Sequence, residues 1–417
     1  MPISVQSYDL SEIIVELNKK CMTNSVSYWQ NQILKITRDT FAERPISEEI
    51  ETAFLETPRH LFIQRYKTSK AEEWREVNES NLEENLSLLY QNSSLNLWGE
   101  DGDKRRSTIS QPSLVLFMLN LLKLEPGHKV LEIGAGSGWN AALIGHIVGA
   151  EGHVHSTEII PEVAKIAREN IDRFGIDNVS IIEGDGGDGY ESKSPFDRII
   201  FTAGTFDLPC NLYHQIKEDG LLLLVIKNEG GGDHLFLLQN KGEYFESIDS
   251  APCGFVHMTG KYSLDRFDPM YLEDLPEWTE LQTEEISKTS FWWGYKNLDA
   301  IWRTMPIRFF LSISEPLFQT FQSSKEDSER KNFFGIWDRE NNSLAIAKDN
   351  QIITYGNPHA RERLLNCIHS WVDLGMPDGS CFKLQIYSIN FPLTPKGDRW
   401  IVKRQESQFV WQLDIEP

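Results

Sequence analysis

Short apolar runs and amphipathic stretches alternate along the middle of the chain, between residues 107 and 261. The runs KVLEI, HVHSTE, VSIIEGD, RIIFTA and LLLLVI predict strands, and WNAALIGHIV, EVAKIARENIDRF and a segment around 212–216 predict helices. This alternation indicates a parallel sheet with helices on both faces and a ligand at the carboxyl ends of its strands. The runs HLFLLQN and YFESIDS follow without a long helix, so we expect the sheet to end in an antiparallel hairpin.

The residues before this core fall into two parts. Residues 1–65 carry apolar positions at helical spacing, and we expect a helical cap in which Ser47, followed by Glu48 and Glu49, begins a helix. Residues 66–106 are polar and lack sustained periodicity. We interpret them as an excursion or lid with one short helix.

The residues after the core predict a further domain. Residues 262–290 are acidic and contain proline, which is typical of a linker. In 291–417 the runs FWWGY, IRFFLSI, FFGIW, SLAIA and FKLQIYSI predict strands, and RERLLNCIHSWVDLG predicts a helix. We expect an α+β domain that could recognise a peptide, although the aromatic residues of FWWGY suit a core better than a binding platform.

Composition excludes several classes of partner. The 417 residues have room for two or three domains, and 62 acidic against 41 basic residues give a net charge of −21, which disfavours nucleic acid. The longest apolar run near the middle, 114–122, is far shorter than the ~20 residues of a bilayer span. The five cysteines form no CxxC pair and the amino terminus has no secretory pattern, so we expect a cytoplasmic protein without a membrane partner.

A glycine-rich loop follows the first predicted strand of the core. Gly134, Gly136 and Gly138 alternate with Ala135 and Ser137, in the spacing GxGxG. Glycines at such a turn let the backbone approach a ligand closely, although a lone GxGxG is also a common tight turn. Dinucleotide sites usually show GxGxxG, so the spacing favours a cofactor with an amino-acid tail instead of a diphosphate.

Two acidic residues at the ends of the next strands complete the pattern. Glu158 stands where a carboxylate can accept both ribose hydroxyls, and Asp185 where it can accept from an adenine amino group, with Gly186 leaving room for the ring. The three signals in order predict an adenosine-containing cofactor. Glu132 can either orient the amino-acid end of that cofactor or cap nearby backbone amides.

Several blocks in order resemble the protein-L-isoaspartate O-methyltransferase family: TPRHLF (57–62), STISQP (107–112), VLEIGAGSGWNAAL, GDGGDG and SPFDRII. The resemblance spans about 45–260. It implies a Rossmann-like class I methyltransferase fold with a mostly parallel seven-stranded sheet, an antiparallel end and the added C-terminal α+β domain, and it implies S-adenosyl-L-methionine as the cofactor. The residues expected to bind this cofactor are Glu132, Gly134, Ala135, Gly136, Ser137, Gly138, Glu158, Ile159, Asp185, Gly186 and Thr202.

The same resemblance places the acceptor carboxylate beside Ile109, Ser110 and Gln111. Ser110 could instead cap the helix that is entered through Pro112. A carboxylate with a pKa near 4 is already ionised at neutral pH, so methyl transfer to it needs no general base. No histidine spacing in the sequence indicates a metal site.

The added length and the block Cys253-Gly254-Phe255 are similar to extended family members associated with ribosomally synthesised peptides such as lanthipeptides and graspetides. Those relatives methylate an aspartate, and the ester collapses to a succinimide (aspartimide) and then isoaspartate. Two alternatives stay open: repair of isoaspartyl residues in damaged proteins, and a non-catalytic module that recognises a substrate. The sequence leaves the peptide, the role of the C-terminal domain and the oligomeric state open.

Overall fold

The computed structural model describes residues 25–69, 71, 73–99, 105–263, 270–274, 285–290, 300–322, 332–348, 351–394 and 399–414, with only the backbone of 285–290, 300–303 and 332. The chain divides into two compact units, Met1–Thr202 and Ala203–Pro417. The predicted strand FWWGY and residues 1–24 of the predicted cap lie outside the described residues.

The first unit contains six described helices and eight strands. The helices are α1 (Val26–Thr40), α2 (Glu48–Glu56), α3 (Leu82–Leu89), α4 (Pro112–Leu122), α5 (Trp139–Val148) and α6 (Pro161–Phe174). The strands are β1 (Arg65–Tyr66), β2 (Arg75–Glu76), β3 (Leu95–Trp98), β4 (Ser107–Ile109), β5 (Lys129–Ile133), β6 (His153–Glu158), β7 (Val179–Glu183) and β8 (Phe196–Phe201).

A parallel sheet forms the centre of the first unit, with the strand order β8-β5-β6-β7. The chain runs outward from β5 through β6 and β7 and then returns to β8 on the other side of β5. The order therefore reverses at β5, and ligands of open α/β sheets bind at the carboxyl ends of the strands at such a point. The predicted alternation of strands and helices is confirmed, and it places the glycine-rich loop at this switch point.

Both the helical cap and the polar excursion contain structural features that the sequence does not show. Helix α2 begins after Ser47, as predicted, but the Ser47 side chain makes no capping hydrogen bond. The excursion contains one short helix, α3, as predicted. It also contributes β3, which pairs antiparallel with β4 through Leu95 opposite Ile109.

The second unit contains twelve strands and two helices among its described residues. The strands are β9 (Ile216–Ile226), β10 (Asp233–Asn240), β11 (Tyr244–Cys253), β12 (Met270–Tyr271), β13 (Glu285–Ser290), β14 (Phe318–Gln322), β15 (Asn332–Asp338), β16 (Ser343–Lys348), β17 (Gln351–Gly356), β18 (Phe382–Ser388), β19 (Arg399–Lys403) and β20 (Ser407–Leu413). The helices are α7 (Ala300–Ser314) and α8 (His359–Asp373). None of the helices in the described part of the chain is both long and apolar enough to cross a bilayer.

Two sheets organise the second unit. One is antiparallel with the order β9-β10-β11-β18-β20-β19, and it contains the predicted hairpin β10–β11. The other has the order β12-β14-β15-β16-β17-β13, in which only β12 and β14 are parallel. The sheet-rich C-terminal region is present as predicted. Strand β18 pairs with β11 through Tyr387 opposite Tyr244, so the predicted boundary between 261 and 291 falls inside one compact unit.

Three predicted elements differ from the structure. The predicted helix at 212–216 is a short 3-10 helix, Cys210–His214, because Ile216 already begins β9. The predicted strand at 307–313 lies inside helix α7, whose Ile307, Phe309, Phe310 and Leu311 are all buried. A helix that is buried on most sides lacks the polar face that reveals its period. The end of the predicted linker forms strand β13.

Candidate active site

The glycine-rich loop joins β5 to α5 with a backbone that favours glycine. Gly134, Gly136 and Gly138 have φ values of +105°, +54° and +84°, a region that residues with a Cβ rarely adopt. The N–H groups of Gly134 and Ala135 both donate to the carbonyl oxygen of Thr157, at 3.0 and 2.9 Å. The loop is therefore held against the end of β6.

Glu158 lies at the carboxyl end of β6 and contacts the same loop. Its Oε2 accepts the N–H of Gly136 at 3.0 Å, and its Oε1 accepts the N–H of Ile160 at 3.1 Å. The side chain is buried, which raises the pKa of this carboxyl, while the hydrogen bonds from the backbone oppose the rise. Each carboxylate oxygen can accept more than one hydrogen bond, so Glu158 keeps acceptor capacity for a pair of ribose hydroxyls.

Asp185 and Gly186 follow β7, at the next strand end. The Oδ1 of half-buried Asp185 accepts the N–H of Gly187 at 3.0 Å and caps a short 3-10 turn, Gly186–Asp188. A Cβ on Gly186 would collide with the side chain of Ile133, and it would lie 2.8 Å from Oγ1 of Thr157. The structure thus gives Gly186 a packing role against β5 and β6.

The other predicted residues lie in the loop itself or just after β6 and β8. The Thr202 hydroxyl, just after β8, lies 3.0 Å from the carbonyl oxygen of Ile133 and 2.5 Å from that of Gly134. Ser137 is buried, and its carbonyl oxygen accepts from Nδ2 of Asn170 in α6 at 2.8 Å. Ile159 is half-buried beside Glu158. The predicted cofactor residues are therefore gathered around the carboxyl ends of β5, β6, β7 and β8.

Glu132 is fully buried inside β5. Its Oε1 accepts from Nδ2 of Asn140 at 2.7 Å, and its Oε2 accepts from the Ser156 hydroxyl at 2.5 Å. Burial raises the pKa of Glu132 to about 7, and these two hydrogen bonds oppose that rise. Its hydrogen-bond donors among the described residues are these side chains and not backbone amides, so the capping alternative is not observed. A role in orienting the cofactor stays a prediction.

The acceptor segment, which contains the predicted residues Ile109, Ser110 and Gln111, begins beside the glycine-rich loop. A Cβ on Gly136 would lie 3.4 Å from the carbonyl oxygen of Thr108 and 3.6 Å from Oγ of Ser107. Ile109 is buried, and half-buried Ser110 follows it. The fold thus brings Ser107 and Thr108 next to the loop, although more than twenty residues separate them from it in sequence.

Ser110 is not the cap of helix α4. The N-cap position is Gln111, and the N–H of Ser113 in the first turn donates to Oδ1 of Asn92 at 3.1 Å. Nε2 of Gln111 donates to Oγ of Ser113 at 3.1 Å. Within the described residues the Ser110 hydroxyl makes no hydrogen bond. Its O–H group can therefore donate to a ligand.

Arg59 contacts the acceptor segment, and the sequence pattern did not predict this contact. Its guanidinium is fully buried and donates to carbonyl oxygens of Leu89, Ser93 (3.1 Å), Ile109 (3.4 Å) and Ser110 (2.9 Å). Burial lowers the pKa of Arg59 to about 9. The side chain therefore ties helix α3 and the residues after it to the acceptor segment. The available signal was an arginine inside the block TPRHLF, two residues before Leu61.

Trp139, the first residue of α5, extends this connection to the glycine-rich loop. The Arg59 guanidinium lies 5.7 Å from the centre of its ring, and its Nε1 donates to the carbonyl oxygen of Thr57 at 3.0 Å. The buried side chains of Arg59 and Trp139 thus lie between the glycine-rich loop, the acceptor segment and the helical cap.

In the second unit, a buried ion pair holds the Cys-Gly-Phe block. Nζ of Lys227 lies 2.5 Å from Oδ2 of Asp233 and donates to the carbonyl oxygen of Phe255 at 2.7 Å. The same carboxylate oxygen accepts the N–H of Phe255 at 2.9 Å. The burial of Cys253 raises the pKa of its thiol, so this cysteine has no reactive thiolate at neutral pH.

These residues fit an adenosyl cofactor with an amino-acid tail. The loop has the backbone that a close ligand requires, and Glu158 offers a carboxylate with acceptor capacity at the strand end where a ribose is expected. In the described part of the chain no three His, Cys, Asp or Glu side chains are grouped closely enough to hold a metal ion.

Comparison with known proteins agrees with this geometry. Residues 30–263 match the family "Protein-L-isoaspartate(D-aspartate) O-methyltransferase (PCMT)". The chain is 40% identical over 191 residues to the protein-L-isoaspartate O-methyltransferase of Pyrococcus horikoshii, covering 46% of this chain and 73% of the relative. It is 34% identical over 235 residues to that of Hyperthermus butylicus, covering 53% and 86%.

A solved structure named protein-L-isoaspartate O-methyltransferase shares the fold, with a TM-score of 0.51 and 22% identity. The match covers 87% of this chain and 98% of that one, so the similarity extends beyond residues 30–263. The predicted class I methyltransferase fold is confirmed. The chain therefore belongs to the protein-L-isoaspartate(D-aspartate) O-methyltransferase family, and it is a methyltransferase that uses S-adenosyl-L-methionine.

Proposed function

We propose that this methyltransferase esterifies the carboxylate of an aspartyl or isoaspartyl residue in a ribosomally synthesised peptide, as a tailoring step. The proposed site of methyl transfer rests on one observation, the proximity of the acceptor segment to the glycine-rich loop. A Cβ built on Gly136 would lie 3.4 Å from the Thr108 carbonyl oxygen. An acceptor bound at Ser110 would thus be close to a cofactor bound at this loop.

Each site residue has one role in this proposal. S-adenosyl-L-methionine, when bound, supplies a methyl group that is activated by a sulfonium. Glu158 would accept the ribose hydroxyls and Asp185 the adenine amino group, while Ser110 would donate its hydroxyl proton to the acceptor carboxylate. Arg59 holds the carbonyl groups of residues 109 and 110, and so fixes the backbone from which Ser110 reaches the acceptor.

The reaction needs binding and orientation more than proton transfer. The acceptor carboxylate is ionised at neutral pH because its ordinary pKa is about 4, so a general base is not required. The methyl ester then has methoxide as its leaving group. The backbone nitrogen of the next residue of the peptide can attack the ester carbonyl, which releases methanol and closes a succinimide; hydrolysis of that ring gives isoaspartate.

Tailoring and repair use the same chemistry and differ in substrate. Tailoring is supported by the residues after 263, which the family match does not cover and which would recognise a particular peptide. Repair is the second candidate, and it is favoured by the names of the relatives and by the solved structure, whose similarity extends over most of this chain. Added length alone therefore does not exclude isoaspartyl repair.

The substrate preference of the full chain tests this proposal. The protein would be incubated with S-adenosyl-L-methionine and either unrelated short isoaspartyl peptides or a precursor peptide encoded beside its gene. Methanol release and loss of water from the peptide would be followed, the latter by mass spectrometry. We expect turnover of the precursor and poor turnover of the unrelated peptides. Efficient turnover of the unrelated peptides with none of the precursor would establish repair instead.

A further inference from the structure

A cavity of about 570 Å³ lies within the second unit, between the end of helix α7, the start of β14 and strand β19. Its walls include apolar side chains, Phe318 and Trp400, and charged ones at both ends of β19, Arg399 and Lys403. This cavity is lined by residues between 229 and 404, and it includes none of the residues assigned to the candidate active site.

Strand β19 presents a backbone edge on this cavity. It pairs antiparallel with β20, from Arg399 opposite Gln412 to Lys403 opposite Gln408, and stands last in the strand order. No other strand of the described residues pairs with its second edge. The backbone N–H and C=O groups along such an edge can bond to an added strand, and this is one of the recurring ways in which proteins bind extended peptides.

The side chains of β19 fix its position. Trp400 packs edge-to-face against Phe310 of α7, at 5.7 Å between ring centres, and against Phe382 of β18, at 5.6 Å. The strand is thus anchored from one face. Its central residues are half-buried, and Arg399 and Lys403 at its ends are exposed.

The charge of the cavity is positive in a chain whose net charge is −21. Its two carboxylates each have an arginine partner: Glu229 pairs with Arg404, and Glu315 forms a two-point ion pair with Arg363 at 2.6 and 3.2 Å. Arg399 and Lys403 form no ion pair with any described residue. Arg399 and Lys403 stand four residues apart on one strand, about 13 Å from end to end, and no carboxylate among the described residues pairs with either of them.

We propose that β19 binds an extended acidic segment of the peptide substrate, which adds to the sheet as a further strand. Carboxylates of that segment pair with Arg399 and Lys403, and an apolar side chain between them packs in the cavity against Phe318 and Trp400. A second copy of this chain fits poorly, because two β19 edges would bring like charges together. The inference rests on the proposed function for its ligand class, and it assigns recognition to residues that take no part in the methyl transfer itself.

Binding to the full chain tests this proposal without any methyl transfer. The probe is a fluorescein-labelled synthetic peptide of alternating Glu and Val, compared by fluorescence polarisation with a Lys and Val peptide of equal length. A third peptide carries N-methyl groups on alternate backbone nitrogens of the Glu and Val sequence, which removes the donors of a β-ladder without altering the protein. We expect saturable binding of the acidic peptide, and at least about tenfold weaker binding of the other two.

Two double variants distinguish the effect of charge on β19 from the effect of the net charge of the protein. Arg399→Glu with Lys403→Glu should weaken binding of the acidic peptide by about tenfold or more. Lys217→Glu with Lys241→Glu changes the net charge equally at exposed positions outside the cavity, and it should bind nearly as wild type. Equal binding by both double variants, an N-methylated peptide that binds as tightly as its parent, or no saturable binding to wild type would overturn the proposal. The binding assay involves no methyl transfer, and S-adenosyl-L-homocysteine should bind the Arg399 and Lys403 variant as it binds wild type, so a failure of peptide binding at β19 is distinguishable from a failure of the proposed function.

Discussion

The carboxylate of Glu158 accepts the backbone N–H of Gly136 at 3.0 Å, and this hydrogen bond links the end of β6 to the glycine-rich loop. Its other oxygen accepts the N–H of Ile160. The bond fixes the loop and the carboxylate that we propose to bind the ribose relative to each other through the protein itself. A preorganised site of this kind loses less free energy to ordering when the cofactor binds.

Glu158→Gln should weaken binding of S-adenosyl-L-homocysteine by at least about tenfold, because hydrogen bonds from the ribose hydroxyls to a charged acceptor contribute roughly 1.5–3 kcal/mol. Isothermal titration calorimetry measures this affinity directly. Glu162→Gln, at an exposed position of α6, is the matched control and should bind as wild type. Equal affinity of the Glu158 variant and the control would remove Glu158 from the cofactor site.

Gly136→Val should abolish detectable binding of the same ligand. The φ of +54° disfavours a β-branched residue, and the new Cβ would approach the Thr108 carbonyl oxygen to 3.4 Å in the space between loop and acceptor segment. Gly254→Val serves as the control, because a Cβ there meets no atom within 4 Å and the residue has no positive φ. Retained affinity in the Gly136 variant would show that the ligand does not approach this turn.

Arg59→Lys should lower the free energy of unfolding by about 3 kcal/mol, because an ammonium cannot reach all the carbonyl groups that the guanidinium satisfies and some stay buried without a donor. It should also lower kcat, since the acceptor segment loses its support. Urea denaturation and steady-state kinetics measure the two effects. Arg38→Lys, where the arginine is exposed and pairs with Glu51, should change stability by less than about 0.5 kcal/mol. A loss at Arg59 no larger than at Arg38 would contradict the role assigned to the buried guanidinium.

The stability of the protein should fall with rising pH through the titration of Glu132. Its pKa in the folded protein is about 7, above the ordinary value of 4.5, so the folded state binds this proton more tightly than the unfolded state. The resulting stabilisation is fully present below pH 4.5 and is lost as the pH rises through about 7.

Glu132→Gln removes this titration. Its free energy of unfolding relative to wild type should therefore rise by roughly 3 kcal/mol between pH 5 and pH 8. Chemical denaturation at the two pH values provides the comparison, and Glu151→Gln at an exposed position should show no such change. The same difference from wild type at both pH values would mean that Glu132 keeps an ordinary pKa.

The parts of the fold that sequence could predict are those whose pattern is local. Strand β5, helix α5 and strand β6 have the predicted bounds, because their apolar periods and the glycines between them are continuous in sequence. Helix α7 was predicted as a strand since Ile307, Phe310 and Leu311 are buried together and leave no polar face to mark its period.

In the site, too, local patterns could be predicted from the sequence and tertiary contacts could not. The predicted cofactor residues could be placed from strand ends alone, because the carboxyl ends of parallel strands meet at one edge. The support of the acceptor segment could not, since Arg59 acts on carbonyl groups 30 to 51 residues away in sequence. The cap of α4 comes from Asn92, which lies 21 residues before Ser113. The position of Asn92 beside this helix depends on tertiary structure, and so the capping role considered for Ser110 was wrong.

The most direct test of the account is the chemical nature of the transferred methyl group and its dependence on Ser110. Wild-type protein would receive S-adenosyl-L-methionine with a tritiated methyl group and a peptide acceptor, and base-labile tritium would be counted as volatile methanol. We predict a base-labile ester, a kcat lowered by at least about tenfold in Ser110→Ala with unchanged affinity for S-adenosyl-L-homocysteine, and normal activity in Ser27→Ala at an exposed position. Tritium that resists base, or a Ser110 variant with the kcat of wild type, would contradict carboxyl methylation at this site.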